Sequence, residues 1–454
     1  MQYLTLWDLV LTPVYLIILV ALSQRNRNRN YPPGHPLHSY YLPGIYAKFG
    51  GALAIGLIYA FYYGGGDTFN YFHHAQVINS SLDSSISTWF KLIFHASPFE
   101  NPEIYPYTSQ LYWYESPTEY VVGVITAIIS LFTFTTYLPT ALIFAYISYK
   151  GVWAMFRTFA SNYPQYIRTL AIAFLFIPST VIWGSGIFKD TICIFGLGWL
   201  TYSTFRIFIN KDLSIKNFVY LAGSFYLIAA VKIYILLGFV PALSLWLLLS
   251  YSRKIAMPAL RWVVNILFVG ITISGFIFFS QLFAEELNKY SLEKLAETAE
   301  VTRGWTNYAA GEEGSGYDIG QLDGSLENLL LLFPQGVIVT LFRPFPWEVS
   351  KVLVALSAIE SLFLVYLTLM MFFHKKAKPL KTLFKDPNVL FALIFSLIFS
   401  FAVGVSSGNF GALSRYKIPA LPFYGAVLAI MLGEKYKKPL VKKTRTKAAY
   451  QPAM

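Results

Sequence analysis

Cysteine and charge are what this chain has least of. Its single cysteine, Cys193, lies inside an apolar run, which excludes an intramolecular disulfide and a thiolate metal cluster and leaves a structural core thiol. Only 13% of the 454 residues are charged, against about 25% in ordinary soluble domains. Internal repeats, low-complexity tracts and heptad arrays are missing, which argues against solenoid, disordered and coiled-coil classes. A Walker loop is missing too, and the glycine run precedes no strand–helix unit, so no nucleotide-binding signature is present. The first apolar segment, Leu4 to Leu22 with Asp8 near its start, lacks the basic lead-in and small-residue cleavage site of a signal peptide and reads as a retained span.

Apolar and aromatic residues are abundant: 56% of the chain is hydrophobic and 18% aromatic, and mean hydropathy is +0.52. These values specify an all-α polytopic membrane protein. A window of about 19 residues finds apolar segments near 4–22, 46–63, 118–136, 138–156, 167–183, 187–209, 218–231, 233–251, 261–283, 350–373, 388–404 and 418–432. Net charge is +12, but the cations sit in short connectors and in a basic tail over 434–454. That is the positive-inside pattern beside an anionic leaflet, not a nucleic-acid footprint.

Charge also sets the expected topology. Arg25, Arg27 and Arg29 place the first connector inside, hence the N-terminus outside, while the tail places the C-terminus in the cytoplasm. Twelve segments are one too many for that arrangement. The spacing predicts about 11 transmembrane helices, with one segment between Tyr120 and Phe156 failing to cross, where no charge marks the turn. Exporting several basic connectors through one long crossing over 218–251 is the alternative. The preferred count brings four loops to the outer face: 64–117, 178–190, 284–350 and 406–417. The two long ones are expected to carry interfacial helices, with an amphipathic helix over Ser87 to His95 and a solvated helix over Glu285 to Glu300.

Charge at a membrane mouth is costly and therefore marks candidate chemistry. Asp67 follows Gly64, Gly65 and Gly66 and precedes an aromatic and histidine cluster containing His73 and His74. Its plain reading is a cap after a helix-ending glycine turn; its functional reading is a carboxylate beside a backbone that a ligand can approach closely. The two histidines would serve a proton relay or a metal, or would only pack. Lys189 beside Asp190, after Gly184-Ser185-Gly186, reads equally as a phosphate receiver at a helix N-terminus or as an anchor with its counter-ion. Arg343-Pro344-Phe345-Pro346-Trp347-Glu348 holds a cation and a carboxylate in a proline-fixed frame, with an interfacial salt bridge as the plain alternative. Arg415-Tyr416-Lys417 presents a guanidinium fork where an external anchor is the alternative.

The stretch Gly64 to Tyr71, GGGDTFNY, resembles the aspartate-bearing first external loop of polytopic envelope-polysaccharide enzymes: GT-C-type glycosyltransferases and O-antigen or exopolysaccharide polymerases. The resemblance implies that Asp67 is the catalytic carboxylate and that Arg343 and Arg415 bind a pyrophosphate. No second acid directly follows Asp67, which leaves a divalent cation an open possibility. The expectation is a multi-pass protein of the bacterial inner membrane that uses polyprenyl-linked sugar donors and acceptors on its outer face. A flippase or transporter of lipid-linked glycans, and a non-catalytic membrane subunit of an envelope machine, are the rival classes.

Overall fold

Helices supply all the regular structure of the described residues, and no named strand occurs among them. The computed structural model describes residues 3–252, 255–264, 266–267, 270, 274, 295–310, 316–320, 326–349, 351–374, 378 and 380–433. The apolar segment near 261–283, the first part of the predicted 285–300 helix and the basic tail lie largely or wholly outside those residues.

In chain order the helices are α1 (Leu6–Asn30), α2 (His38–Ile58), α3 (Asp67–Ser80), α4 (Ile86–Ile93), α5 (Tyr105–Thr108), α6 (Pro117–Leu131), α7 (Tyr137–Asn162), α8 (Ile167–Leu175), α9 (Pro178–Trp183) and α10 (Lys189–Phe208). There follow α11 (Ile215–Lys232), α12 (Tyr234–Ser252), α13 (Leu295–Ala310), α14 (Leu326–Leu331), α15 (Phe333–Phe342), α16 (Val352–Phe373), α17 (Lys381–Lys385), α18 (Pro387–Ser406), α19 (Phe410–Tyr416) and α20 (Leu421–Leu432).

Six of these are long and apolar enough to cross a membrane: α1, α2 with its extension to Tyr63, α10, α12, α16 and α18. The chain is therefore a helical membrane protein, with fewer such helices among the described residues than the eleven expected. Its sequence explains much of the shortfall. The segment near 167–183 is not one helix but two, α8 and α9, because Pro178 pushes the preceding Ile177 into an extended conformation (ψ 120°). Segments near 138–156 and 218–231 form α7 and α11, which carry Lys150, Arg157, Lys216 and Lys232 and are not among the six. The last segment shortens to the 12 residues of α20.

The long 284–350 segment carries helices of its own among the described residues. Its last helix, α15, packs along α18, and the two backbones cross at Gly336 and Gly404, where an added methyl on Gly404 would run into the Gly336 backbone. A second crossing of this kind joins α7 and α10 at Gly151 and Gly198. Small residues permit such approach where lipid offers no hydrophobic drive between helices. In the 64–117 loop, α3 packs on α6 and closes a small core of its own with Ala75, Ile78, Leu92, Ile104 and Tyr114. The predicted amphipathic helix appears as α4: Thr88 and Leu92 are buried, while Ile86, Phe90 and Phe94 face outward.

Buried charges tie the bundle together end to end. Asp8 caps its own helix through Thr5 and also accepts the Leu138 amide at the start of α7 (2.9 Å). Short α9 has its first turn answered by Glu360, which accepts the Ser179 amide (2.8 Å), and its last carbonyls by Lys48, which donates to Thr180 (3.0 Å) and Gly184 (2.7 Å). An acid at the N-terminus and a base at the C-terminus match the helix dipole.

Candidate functional site

Glycine geometry sets the site's entrance. Gly64, Gly65 and Gly66 have φ of +66°, +127° and +123°, a left-handed path that side-chain-bearing residues rarely take. A methyl on Gly65 would meet the Tyr3 hydroxyl at 2.6 Å and one on Gly66 the Tyr59 ring at 2.8 Å. Gly65 and Gly66 are therefore taken up by the turn and its packing, while the space beside Gly64 is open. Asp67 opens α3, where the helix dipole favours its charge. It makes no capping hydrogen bond with its own helix.

Its partner comes from the far end of the chain. Arg415 on α19 donates from Nη1 to Asp67 Oδ2 (2.6 Å) and from Nε to Asp190 Oδ2 (2.5 Å), with its guanidinium 4.5 Å from the centre of the Phe188 ring. Asp190, buried at the head of α10, also accepts from Lys232 Nζ at 2.6 Å. Lys232 in turn lies 4.7 Å from the Tyr416 ring centre. Two carboxylates and two cations alternate, so the cluster is neutral as built. Burying Arg415, Asp190 and Lys232 is tolerable only with this degree of mutual satisfaction. Asp67 is the exposed member, with 46% of its side chain accessible against 12% for Arg415 and 1% for Asp190.

Lys189 and Asp190 do not pair with each other. Adjacent helical residues point about 100° apart, and Lys189 turns instead to Glu119 Oε1 (2.5 Å) and Thr118 (3.2 Å) on α6. Glu119 also accepts the Tyr71 hydroxyl, so this second pair braces α3, α6 and α10 beside the first.

Arg343 and Glu348 bind one another across their proline-framed turn, whose Arg343–Pro344 bond is cis. Burial raises the Glu348 carboxyl, but the hydrogen bonds from Arg343 and the Phe345 amide outweigh it and hold the group below its usual range. Arg343 reaches the same short helix as Arg415, stacking 5.1 Å from the Phe410 ring centre, yet the two arginines serve different carboxylates. Lys417 bridges the two regions: its ammonium donates to Ser361 (3.1 Å) and the Arg343 carbonyl (3.4 Å) and stands 3.8 Å from Glu360.

The histidines part company. His74 is buried against Trp113 and Tyr120, and neither ring nitrogen has a hydrogen-bond partner among the described residues. Burial, then the neighbouring His73, push it down to about 4, so it is a neutral packing residue. His73 lies beside the Tyr112 ring (5.9 Å). Among the described residues no group of three His, Cys, Asp or Glu side chains could hold a metal ion. Asp67's partner is a guanidinium, so the described residues build no divalent-cation site around it.

Sequence reasoning left out Glu119, Lys232, Glu360 and Lys48, and treated Asp190 only as a counter-ion. Their signal was present: each is a charge within or at the edge of an apolar run. A cavity of about 1310 Å³ adjoins Glu360 between α8, α16 and α20, walled by Ile172, Phe363, Leu364 and Leu428 and open past Ile359 to the outside of the bundle. No family model, curated protein or solved structure matches the chain.

Proposed function

We propose that the chain is an integral membrane glycosyltransferase or polysaccharide polymerase that uses polyprenyl-phosphate- or polyprenyl-diphosphate-linked sugars on the outer face of the bacterial inner membrane. The observation that carries this reading is Asp67 itself: an accessible carboxylate at a span's mouth, held through one oxygen by a buried arginine. Its Oδ1 makes no hydrogen bond among the described residues. In the proposed step the acceptor hydroxyl attacks the anomeric carbon and hands its proton to Asp67. The bond to the lipid phosphate breaks, and its electron pair leaves with that phosphate, which Arg415 receives through the N–H donors that its two ion pairs leave over. An anion arriving at Arg415 competes with Asp67 for the same guanidinium and so frees the carboxylate for the proton. In this reading Arg343 and Lys189 act as supporting cations, each with a carboxylate already in hand. The apolar cavity between α8, α16 and α20 provides a route for the polyprenyl chain, ending at the Glu360–Lys417 pair two residues from Arg415.

A transporter of the same lipid-linked glycans is the second reading, favoured by the break between α8 and α9 inside an apolar segment. Purified protein in proteoliposomes, supplied with a polyprenyl-diphosphate oligosaccharide on the side bearing Asp67, separates the two. Mass spectrometry showing longer glycans or free polyprenyl diphosphate supports transfer. Movement of unchanged donor across the bilayer supports transport and overturns transfer.

A further inference from the structure

A second polar site lies at the opposite end of the bundle. Helix rise places it: Arg206 is 17 residues beyond Lys189 on α10 and Lys216 is 16 residues before Lys232 on α11, so the two ends are roughly 25 Å apart at 1.5 Å per residue. There, the second half of α7, the last turns of α1 and α10 and the first turns of α2 and α11 enclose a cavity of about 260 Å³ lined by Lys150, Arg157, Arg206 and Lys216 among others.

Its charge balance is unlike that of the Asp67 cluster. Arg206 is matched by Asp212, but the other three cations have no acidic partner among the described residues. Lys150 donates to the Tyr41 hydroxyl (2.9 Å) and stands 4.5 Å from the Tyr146 ring centre. Arg157 makes no hydrogen bond among the described residues; its guanidinium stacks 3.9 Å from the Tyr202 ring centre and 5.4 Å from that of Trp199. The Nε atoms of Arg157 and Arg206 are both fully buried and both lack a hydrogen-bond acceptor among the described residues. Buried donors on charged groups cost energy unless an acceptor meets them. Cations attracting a leaflet from the surface would extend into solvent; Lys150 and Arg157 instead lie against aromatic rings, and all four cations line one shared space.

We infer that this cavity binds a phosphate or diphosphate group, with Arg157, Lys150 and Lys216 neutralising its charge and the buried Nε donors supplying acceptor-seeking hydrogen bonds. Guanidinium forks suit phosphate oxygens. At about 260 Å³ the space falls just below the roughly 300 Å³ at which drug-sized pockets begin, so it takes the anionic head and not a whole nucleotide. The head belongs to a lipid of the adjoining leaflet or to a soluble phosphate; the chemistry recognised is the same. This site stands whether or not Asp67 catalyses transfer.

Full-length protein in detergent, titrated with inorganic pyrophosphate at ionic strength held constant with sodium chloride, tests it. Trp153 and Trp199 in the wall report occupancy by fluorescence, and thermal unfolding reports it independently. Wild type is expected to respond saturably, with affinity at least tenfold lower in the Arg157→Gln, Lys216→Gln double variant and unchanged in Lys91→Gln at the other end. A parallel arm in nanodiscs of phosphatidylcholine with or without phosphatidic acid separates the sources: stabilisation by phosphatidic acid beyond that by pyrophosphate assigns a lipid head, and the reverse assigns a soluble one. If the double variant does not fold, Arg157→Lys carries the test, with weaker binding expected because the fork is lost. Absence of response to both probes, or equal affinity in wild type and variant, overturns the site.

Discussion

Arg415 Nη1 lies 2.6 Å from Asp67 Oδ2 across a sequence separation of 348 residues. The contact closes the bundle, since it joins the mouth of α3 to the seven-residue α19, and Asp190 behind the guanidinium fixes how far Arg415 can reach. Structure and proposed chemistry therefore share residues here, but they load them unequally. Asp190 is wholly inside, and Asp67 is half outside.

That inequality makes the first prediction. Asp190→Ala strips Lys232 and Arg415 of their buried counter-ion and is expected to cost about 3–5 kcal/mol. Thermal unfolding in detergent checks it. Asp190→Asn, which retains an acceptor, is expected to lose less.

His74 sets a pH dependence. Its folded pKa of about 4 lies below the unfolded 6.5, so the unfolded chain binds the extra proton in between. Stability is full above pH 6.5 and falls as pH drops toward 4, by roughly 3 kcal/mol. His74→Phe should flatten that part of a pH series of unfolding temperatures; an unchanged slope would assign the dependence to other groups.

The helix crossings are sterically committed. Gly198→Val puts branched carbon into the Gly151 backbone and is expected to destabilise by at least about 2 kcal/mol, or to prevent a monodisperse elution profile. A fully stable variant would show that α7 and α10 can separate.

Orientation is open to labelling in a Cys193→Ser background. Ser185 and Ser407 are buried, so reporters belong at exposed Ser109 in the 64–117 loop and exposed Asn210 after α10. Cysteine at 109 should react with an impermeant maleimide from outside intact cells, and cysteine at 210 only after lysis. The opposite pattern would invert the topology and move Asp67 to the cytoplasm.

Composition made the helical membrane class legible, and apolar runs located most helices, because both follow from residue type alone. Span count was less legible: a window of hydropathy reads through Pro178, whereas the backbone does not. Asp67 and Arg415 were each visible as charge at a mouth. Their pairing was not, since no local period relates residues brought together only by helix packing. The glycine run read as room for a ligand; Tyr3 and Tyr59 fill the space at Gly65 and Gly66 and leave that beside Gly64 open. Lys48 and Glu360 looked like parts of spans; in the fold they answer the two ends of α9.

The most direct test of the account is glycan transfer by purified Asp67→Asn. Asparagine keeps the shape and still offers Arg415 an oxygen, so the unfolding temperature should stay within a few degrees of wild type. Loss of the carboxylate should slow transfer from a polyprenyl-diphosphate sugar at least ~100-fold, followed by mass spectrometry of single-turnover reactions. Transfer at the wild-type rate would contradict the account and leave Asp67 as a strut for Arg415.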